Sequence, residues 1–287
     1  TYTSTTDFMV SSGRGFTASG GIWQSSLVNP GLPARCGLRV ALVVDLSGSV
    51  GRYITEMRGA ASTFVDSLTG TPSSVALFTF PDNAPAATGA NLGLTPVSTP
   101  AGAQTVKNRI ASYTAGFDTN WDRGLYQVAA SSTGFDVAVV LTDGNPTVYA
   151  AHEGPGDLTR FREVENGIFS ANAVKAEGTR VIAVGVGDGL GGAPDNLRAI
   201  SGPAAGSDYY QTDDYAEAGE ALRDLALGTC NGSVSVVKQV VPSSTTGETV
   251  TGATPSGGWT FEASTSSPGV TPSEQSGTTV SGTGAVN

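Results

Sequence analysis

Continuous apolar runs separated by stretches with helical periodicity are the feature of this 287-residue sequence that most limits its fold. The runs occupy residues 38–44, 75–80, 135–141 and 180–186. A strand buried on both faces of a parallel sheet carries such runs, whereas a strand with one solvent-exposed face alternates apolar and polar residues. Between the runs, residues 51–68 and 163–177 place apolar side chains at helical spacing. Strands alternating with helices predict an α/β fold with a doubly wound parallel sheet and helices on both faces.

Weaker patterns add shorter elements. Residues 106–113 form a short amphipathic stretch, and Asn120 precedes a helical pattern as a residue suited to cap its free N–H groups. Further elements are expected as a helix near 194–201, a strand at 209–210 and a helix at 214–227. Ligands of doubly wound sheets bind beyond the carboxyl ends of the strands, so functional residues are expected there.

The composition changes at two points and divides the chain into three parts. Residues 1–35 are rich in Gly, Ser and Thr, and are predicted to be an extension over the main domain or part of a neighbouring one. Residues 36–230 carry the strand and helix patterns. Residues 231–287 show strand-like segments at 232–241 and 258–264, and are predicted to form a small all-β domain that is cut or incomplete.

Charge and hydropathy argue against two classes of partner. The formal net charge is −10, with 15 basic and 25 acidic residues, whereas nucleic-acid binding needs clustered Lys and Arg. No run of 18 apolar residues occurs, so no membrane span is predicted. The first residues contain neither Met nor a basic and apolar leader, and the chain is therefore expected to be processed or excised from a longer one.

The sequence contains two cysteines, Cys36 and Cys230, at the two ends of the α/β region. Their separation excludes a CxxC redox or zinc motif. We interpret them as a disulfide that joins the ends of one domain, which implies an oxidising compartment. Two unrelated buried thiols are the alternative interpretation.

Carboxylates and hydroxyls cluster where predicted strands end. Asp45, Ser47 and Ser49 follow the first buried strand at alternate positions of one loop. Asp143 follows another buried strand, and Thr119 leads into a predicted helix. Hard oxygen ligands without His or Cys select Mg²⁺, Mn²⁺ or Ca²⁺. The five side chains are therefore predicted to hold one divalent cation, with Mg²⁺ favoured and one coordination position open to a partner's carboxylate.

This set of residues resembles the metal-ion-dependent adhesion site of von Willebrand factor A domains, which combines a DxSxS loop with a Thr and an Asp. The resemblance covers residues 36–230 and implies the Rossmann-like fold of that family. It also implies that the hydroxyls of Ser47, Ser49 and Thr119 contact the metal directly. Asp45 and Asp143 would act directly or through water.

Three segments narrow the resemblance to the sortase-assembled pilus tip adhesins of Gram-positive bacteria. These segments are 119–125, 141–147 and 171–187. Known tip adhesins often carry inserted arms in this domain, and the candidates here, 81–105 and 146–165, are both short. The resemblance implies an extracellular protein at a pilus tip or in the cell wall, attached covalently to pilus shaft subunits.

Lys238 lies in the middle of an apolar strand pattern, where an unpaired ammonium is costly. In the Cna-B type β-domains of Gram-positive pilins, a first-strand Lys joins a last-strand Asn through an isopeptide bond, with help from a buried Glu. Lys238, Asn287 and Glu262 match that order, and the resemblance implies an Ig-like domain with this crosslink. The alternative is a lysine that reaches solvent from an edge strand. Alternation also places Glu262 on the strand face opposite to Trp259 and Phe261, so the pattern does not support its burial.

Three functions are compatible with these features. An adhesin would bind an acidic group of a host matrix protein, glycan or cell-surface receptor at the metal, with no bond made or broken. A structural pilus or cell-wall subunit would use the metal only to make its A domain rigid. A metal-assisted hydrolase is the least favoured, because no general base is evident beside the site and His152 is interpreted as a solvated surface residue.

Overall fold

The structure is a computed structural model that describes residues 26–33, 37–190, 195–229, 236–243, 252–264, 274–281 and 285–286. The chain divides into two compact units, Thr1–Asn231 and Gly232–Asn287. Within the described residues, none of the helices combines the length and apolar character needed to cross a bilayer.

Six strands of the first unit form one sheet. They are β1 (Arg39–Asp45), β2 (Ser74–Phe80), β3 (Leu92–Pro96), β4 (Val137–Thr142), β5 (Arg180–Val186) and β6 (Tyr209–Thr212). Their order is β3-β2-β1-β4-β5-β6, and β3 pairs antiparallel with β2 while the other pairs are parallel. The strand order reverses between β1 and β4, which is where doubly wound sheets bind ligands. The predicted α/β fold with a mostly parallel sheet is confirmed.

Six helices among the described residues cover the two faces of this sheet. They are α1 (Ile54–Leu68), α2 (Pro100–Ala111), α3 (Trp121–Ala129), α4 (Phe161–Ala176), α5 (Asp195–Ile200) and α6 (Tyr215–Thr229). One hydrophobic core lies between the sheet and α1, α2 and α6, and the other lies between the sheet and α3, α4 and α5. Short 3₁₀ segments at Gly48–Tyr53 and Asp188–Leu190 follow β1 and β5.

The central strand β1 contributes to both cores. Val40, Leu42 and Val44 face α1 and α6, whereas Ala41 and Val43 face the opposite layer. Successive side chains of a strand point to opposite faces, so a strand between two helix layers needs apolar residues at every position. This explains the continuous apolar runs of the sequence.

The structure places β3 and the start of α2 in residues 81–105, the first of the stretches considered as an inserted arm. The pattern does not predict β3 because this edge strand is only half-buried. Helix α2 begins earlier than the predicted stretch 106–113. It starts at Pro100, and the Thr99 side chain accepts from the Gly102 N–H at 3.2 Å.

Residues 26–33 contact the six-stranded sheet at the beginning of β5. The Asn29 side chain donates to the Val181 carbonyl and accepts from the Val181 N–H, both at 2.8 Å. It therefore occupies the position that a peptide group of another strand would take. Close by, Nζ of Lys175 donates to the Leu27 carbonyl at 3.2 Å. This part of the predicted extension belongs to the surface of the main domain.

The described residues of the second unit form three two-stranded antiparallel sheets. In these, β7 (Val236–Val237) pairs with β12 (Ala285–Val286), β8 (Gln239–Val240) with β9 (Thr254–Pro255), and β10 (Thr260–Ser264) with β11 (Glu274–Thr278). No helix occurs in these residues. The Ig-like arrangement stays a prediction.

The described residues of the second unit include two members of the predicted crosslink. Lys238 is half-buried, and its Nζ lies 4.5 Å from the centroid of the Trp259 ring. Glu262 is exposed. Three residues named in the predicted covalent bonds lie outside the described ranges, namely Cys36, Cys230 and Asn287. The disulfide and the isopeptide bond therefore stay predictions.

Candidate metal centre

Asp45 ends β1 at the point where the strand order reverses, beside the end of β4. Its side chain is buried, with 1% exposure. The Ser47 N–H donates to Oδ1 at 2.8 Å, and Oγ1 of Thr142 donates to Oδ2 at 2.5 Å. The carboxylate is therefore held on one side by the loop after β1 and on the other by β4.

Hydrogen bonds link this loop to the end of β4. Oγ of Ser47 lies 3.1 Å from Oγ of Ser49, and Ser49 donates to Oδ1 of Asp143 at 2.7 Å. Asp143 directly follows β4 and is 8% exposed, whereas Ser49 is exposed to solvent. The structure thus brings four of the five predicted ligands together, with Ser49 on the solvent side.

Thr119 reaches the same place from the loop before α3. Its N–H donates to Oγ1 of Thr147 at 3.2 Å, and its carbonyl accepts from the Thr147 N–H at 2.9 Å. A Cβ atom placed on Gly144 would lie 3.8 Å from Oγ1 of Thr119 and 3.9 Å from Oγ of Ser49. The two hydroxyls therefore border a common space at Gly144, and all five predicted residues form one cluster.

A backbone contact fixes the loop of Ser47 and Ser49 relative to the segment before Thr119. The Gly48 N–H donates to the Phe117 carbonyl at 2.7 Å, and the Gly116 N–H donates to the Leu46 carbonyl at 2.5 Å. A Cβ atom on Gly48 would lie 3.0 Å from the Phe117 oxygen, so glycine permits this close approach. Sequence reasoning did not identify this contact.

The two carboxylates of the cluster are in an unfavourable environment for negative charge. Burial, followed by the charge of Asp143, raises the pKa of Asp45 to about 7, although the Thr142 hydrogen bond opposes the rise. Burial also raises the pKa of Asp143, while the Ser49 hydrogen bond and the charge of Arg52 oppose it. Neither carboxylate forms a salt bridge with the described residues. A bound cation would stabilise both charges.

The donor set fits a hard divalent cation. Each of the five side chains offers oxygen, as Mg²⁺, Ca²⁺ and Mn²⁺ prefer. Within the described ranges, no group of three or more His, Cys, Asp and Glu side chains is placed to hold a metal. The hydroxyls are therefore needed to complete the ligand set. When bound, the cation would supply positive potential to an acidic partner group.

Thr142 and Trp121 support the site, a role that sequence reasoning missed. Trp121 is fully buried at the start of α3. Its Nε1–H donates to Oγ1 of Thr142 at 3.3 Å, and that hydroxyl in turn donates to Asp45. The available signal was a threonine at the end of an apolar run, directly before Asp143.

His152 has closer neighbours than the interpretation as a solvated surface residue implies. Its Nδ1 lies 3.7 Å from Oδ2 of Asp82, and its Nε2 lies 3.6 Å from Oδ2 of Asp118. The side chain is 48% exposed. Burial raises the pKa of Asp118, while the charge of His152 opposes the rise and that of Asp82 adds to it. The histidine thus stands next to the residue that precedes Thr119.

The geometry agrees with a comparison of the sequence with protein families. The family described as von Willebrand factor type A domain matches residues 40–224. The chain belongs to this family. The cluster at the ends of β1 and β4 lies inside the matched region.

Several solved structures align with this chain. SpaC, a pilus adhesin of Lactobacillus rhamnosus GG, aligns with a TM-score of 0.56 and 15% identity over 87% of this chain and 38% of its own. Proximal thread matrix protein 1 of the mussel byssus, with a zinc-occupied MIDAS motif, aligns with a TM-score of 0.48 and 19% identity. The alignment covers 68% of this chain and 46% of the mussel protein. A mutant of the PilB minor pilin of Streptococcus sanguinis aligns with a TM-score of 0.48 and 14% identity, over 69% of this chain and 64% of its own.

At these identities the likeness concerns the fold alone. The chain spans less than half the length of the SpaC and mussel proteins. No curated protein matches the sequence.

Proposed function

We propose that this von Willebrand A domain is the ligand-binding part of a cell-surface adhesin. The domain binds one divalent cation through Asp45, Ser47, Ser49, Thr119 and Asp143. The cation is Mg²⁺ in the first place, with Ca²⁺ or Mn²⁺ as alternatives. An acidic group of a host matrix protein, glycan or cell-surface receptor completes the shell of the cation. The event is binding, with no bond made or broken.

The observation that carries this proposal is a pair of buried carboxylates at one place in the fold. Asp45 and Asp143 are 1% and 8% exposed, lie in one hydrogen-bonded cluster and form no salt bridge with the described residues. Buried charges of one sign destabilise a fold unless something neutralises them. Ser49, the exposed member, leaves the cluster open to solvent. A cation at this place would therefore be accessible to a partner.

The proposal places the protein outside the cell, at a pilus tip or in the cell wall, with covalent attachment to pilus shaft subunits. The fold likeness to SpaC, a pilus adhesin aligned over 87% of this chain, supports this location. A Cys36–Cys230 disulfide and a Lys238–Asn287 isopeptide bond assisted by Glu262 are part of the proposal. Intact mass tests both bonds, because the disulfide removes two hydrogens and the isopeptide removes one ammonia.

The experiment is adhesion to a panel of immobilised matrix proteins and glycans, in Mg²⁺ and in EDTA. The wild type is compared with Asp45→Ala and Ser49→Ala, and with Asp224→Ala as a control whose side chain is 71% exposed on α6. Binding to at least one surface is expected in Mg²⁺ and lost in EDTA. Both site variants should bind at least about tenfold more weakly, because each removes a metal ligand. The control should bind like the wild type.

Adhesion that EDTA and Asp45→Ala leave unchanged would contradict the proposal. If the same treatments then lower only the melting temperature, the protein is a structural pilus or cell-wall subunit with a metal-stabilised domain. Turnover of a phosphoester or peptide that depends on the metal would instead favour a hydrolase.

A further inference from the structure

An open cavity of about 540 Å³ begins at the metal centre and extends between the N-terminal parts of α1 and α6. Ser49 and Asp143 line it at one end. We call it the acidic groove, because its other charged residues are four carboxylates and one guanidinium, namely Glu56, Asp188, Asp213, Asp214 and Arg52. All five of these residues are exposed.

Three of the four groove carboxylates have no side-chain partner in the part of the first unit that the structure describes. Glu56, Asp188 and Asp213 make no side-chain hydrogen bond or ion pair within the described ranges. Asp214 differs, because its Oδ1 accepts from the Ala216 and Glu217 N–H groups at the start of α6. The acidic groove thus places carboxylates that no described side chain neutralises beside the two carboxylates of the metal centre.

A buried hydroxyl gives independent evidence for an absent ligand group. Tyr215 also lines the acidic groove and is 5% exposed, and its Oη has no hydrogen-bond partner among the described residues. Burial raises the pKa of Tyr215, and the charges of Asp143, Asp45 and Glu56 raise it further. A buried polar atom without a partner is costly, and a ligand donor would satisfy it.

Aromatic rings in the acidic groove suit a cation as well. The rings of Tyr53 and Tyr215 have centroids 6.5 Å apart. The guanidinium carbon of Arg52 lies 5.6 Å from the centroid of the Tyr53 ring. A guanidinium or ammonium group is attracted to such ring faces and to carboxylates at the same time.

We propose that the acidic groove is a second binding site, for a lysine or arginine side chain of a polypeptide whose acidic side chain binds at the metal centre. This inference rests on the proposed function and narrows its ligand to a segment that carries both charges. The groove carboxylates neutralise the basic group, and Oη of Tyr215 accepts a hydrogen bond from it. A purely acidic glycan offers no group for these residues.

The first test uses arrayed peptides that contain one Asp and, at each neighbouring position in turn, Arg or norleucine. The Mg²⁺-loaded wild type is compared with Asp188→Asn/Asp213→Asn and with Asp224→Asn, a control on α6 away from the groove residues. The wild type and the control should bind the best Arg peptide about tenfold more tightly than its norleucine counterpart, as expected of a close charge pair. The double variant should lose this preference but still require Mg²⁺.

The outcomes separate the inference from the proposed function. Binding that needs Mg²⁺ but shows no preference for a basic residue overturns the inference and leaves the metal-dependent adhesin intact. A preference for Arg that persists unchanged in the double variant also overturns it.

A second test does not depend on adhesion. Butylguanidinium, which has no carboxylate, is titrated into the Mg²⁺-loaded protein while amide shifts are followed by NMR. Saturable shifts are expected at residues 213–216 and should be strongly reduced in the double variant. If no shifts occur at the acidic groove, the inference is wrong whatever the peptides show.

Discussion

Thr142 donates a 2.5 Å hydrogen bond to Oδ2 of Asp45, from the end of one central strand to the end of its neighbour. The same Thr142 oxygen accepts from Nε1–H of Trp121 at 3.3 Å and lies 3.0 Å from the Gly144 carbonyl. A hydroxyl donates one hydrogen, and a charged carboxylate is the stronger acceptor. Thr142 therefore orients Asp45 and favours its charged form.

Replacing Thr142 by Val removes this hydroxyl while keeping the shape of the side chain. We expect Mg²⁺ affinity to fall by about 10- to 100-fold, as for other residues that orient a metal ligand. Isothermal titration calorimetry with Mg²⁺ measures the change. Thr142→Ser keeps the hydroxyl and should keep most of the affinity. Equal affinity of Thr142→Val and the wild type would exclude the orienting role.

The stability of the metal-free protein should depend on pH through Asp45. Its pKa is raised from 3.8 to about 7, so the folded state binds more protons than the unfolded chain between these values. This contribution to stability is complete below about pH 4 and is lost as the pH rises through about 7. Urea unfolding in EDTA should show a loss of several kcal/mol across this window relative to Asp45→Asn. Parallel pH profiles of the two proteins would contradict the assignment.

Two helical glycines should respond to alanine with opposite signs. A Cβ atom on Gly124 of α3 would lie 2.6 Å from Cδ1 of Phe80. One on Gly59 of α1 would have no described atom within 4 Å apart from the nearby backbone of its own helix. Gly59→Ala should stabilise the protein by about 0.5–1 kcal/mol, because alanine favours the helix. Gly124→Ala should destabilise it by about 1–3 kcal/mol through overpacking. Chemical denaturation measures both, and a stabilising Gly124→Ala would show that α3 and β2 are not so closely packed.

Lys175 should make stability rise with pH in the alkaline range. It is 4% exposed, and burial lowers its pKa from 10.5 to about 8. The unfolded chain therefore binds more protons between about pH 8 and pH 10.5, and stability increases across that range. Lys175→Met should exceed the wild type by about 1–3 kcal/mol at pH 7, because an apolar side chain avoids burying the charge. The difference should narrow by pH 10, and a constant difference would contradict the pKa shift.

The sequence was sufficient to predict the strands at the centre of the sheet and the proximity of the five candidate ligands. Both follow from short-range rules, because an apolar run marks a doubly buried strand and parallel strands end at one edge. The half-exposed edge strand β3 carries no comparable pattern. The start of α2 had a signal, a threonine followed by proline, that was not used.

The groups around the candidate ligands were beyond sequence reasoning for a different reason. The hydrogen bond from Trp121 to Thr142 and the Tyr215 hydroxyl, which lacks a partner among the described residues, depend on packing between segments that are distant in sequence. Single residues of these types are usually packing residues, and their sequence neighbours do not distinguish the exceptions. The same holds for Asn29, whose amide bonds to Val181 replace a strand contact.

The position of Asn29 has a mechanical consequence. Residues 26–33 contact the sheet at the beginning of β5. Leu225 and Ala226, near the end of α6, border a cavity with Leu38 and Val40 at the beginning of β1. The metal centre lies at the other ends of these strands. A pull between a bound partner and the chain would therefore run along the strands and load their hydrogen bonds in shear, so that many would have to break at once.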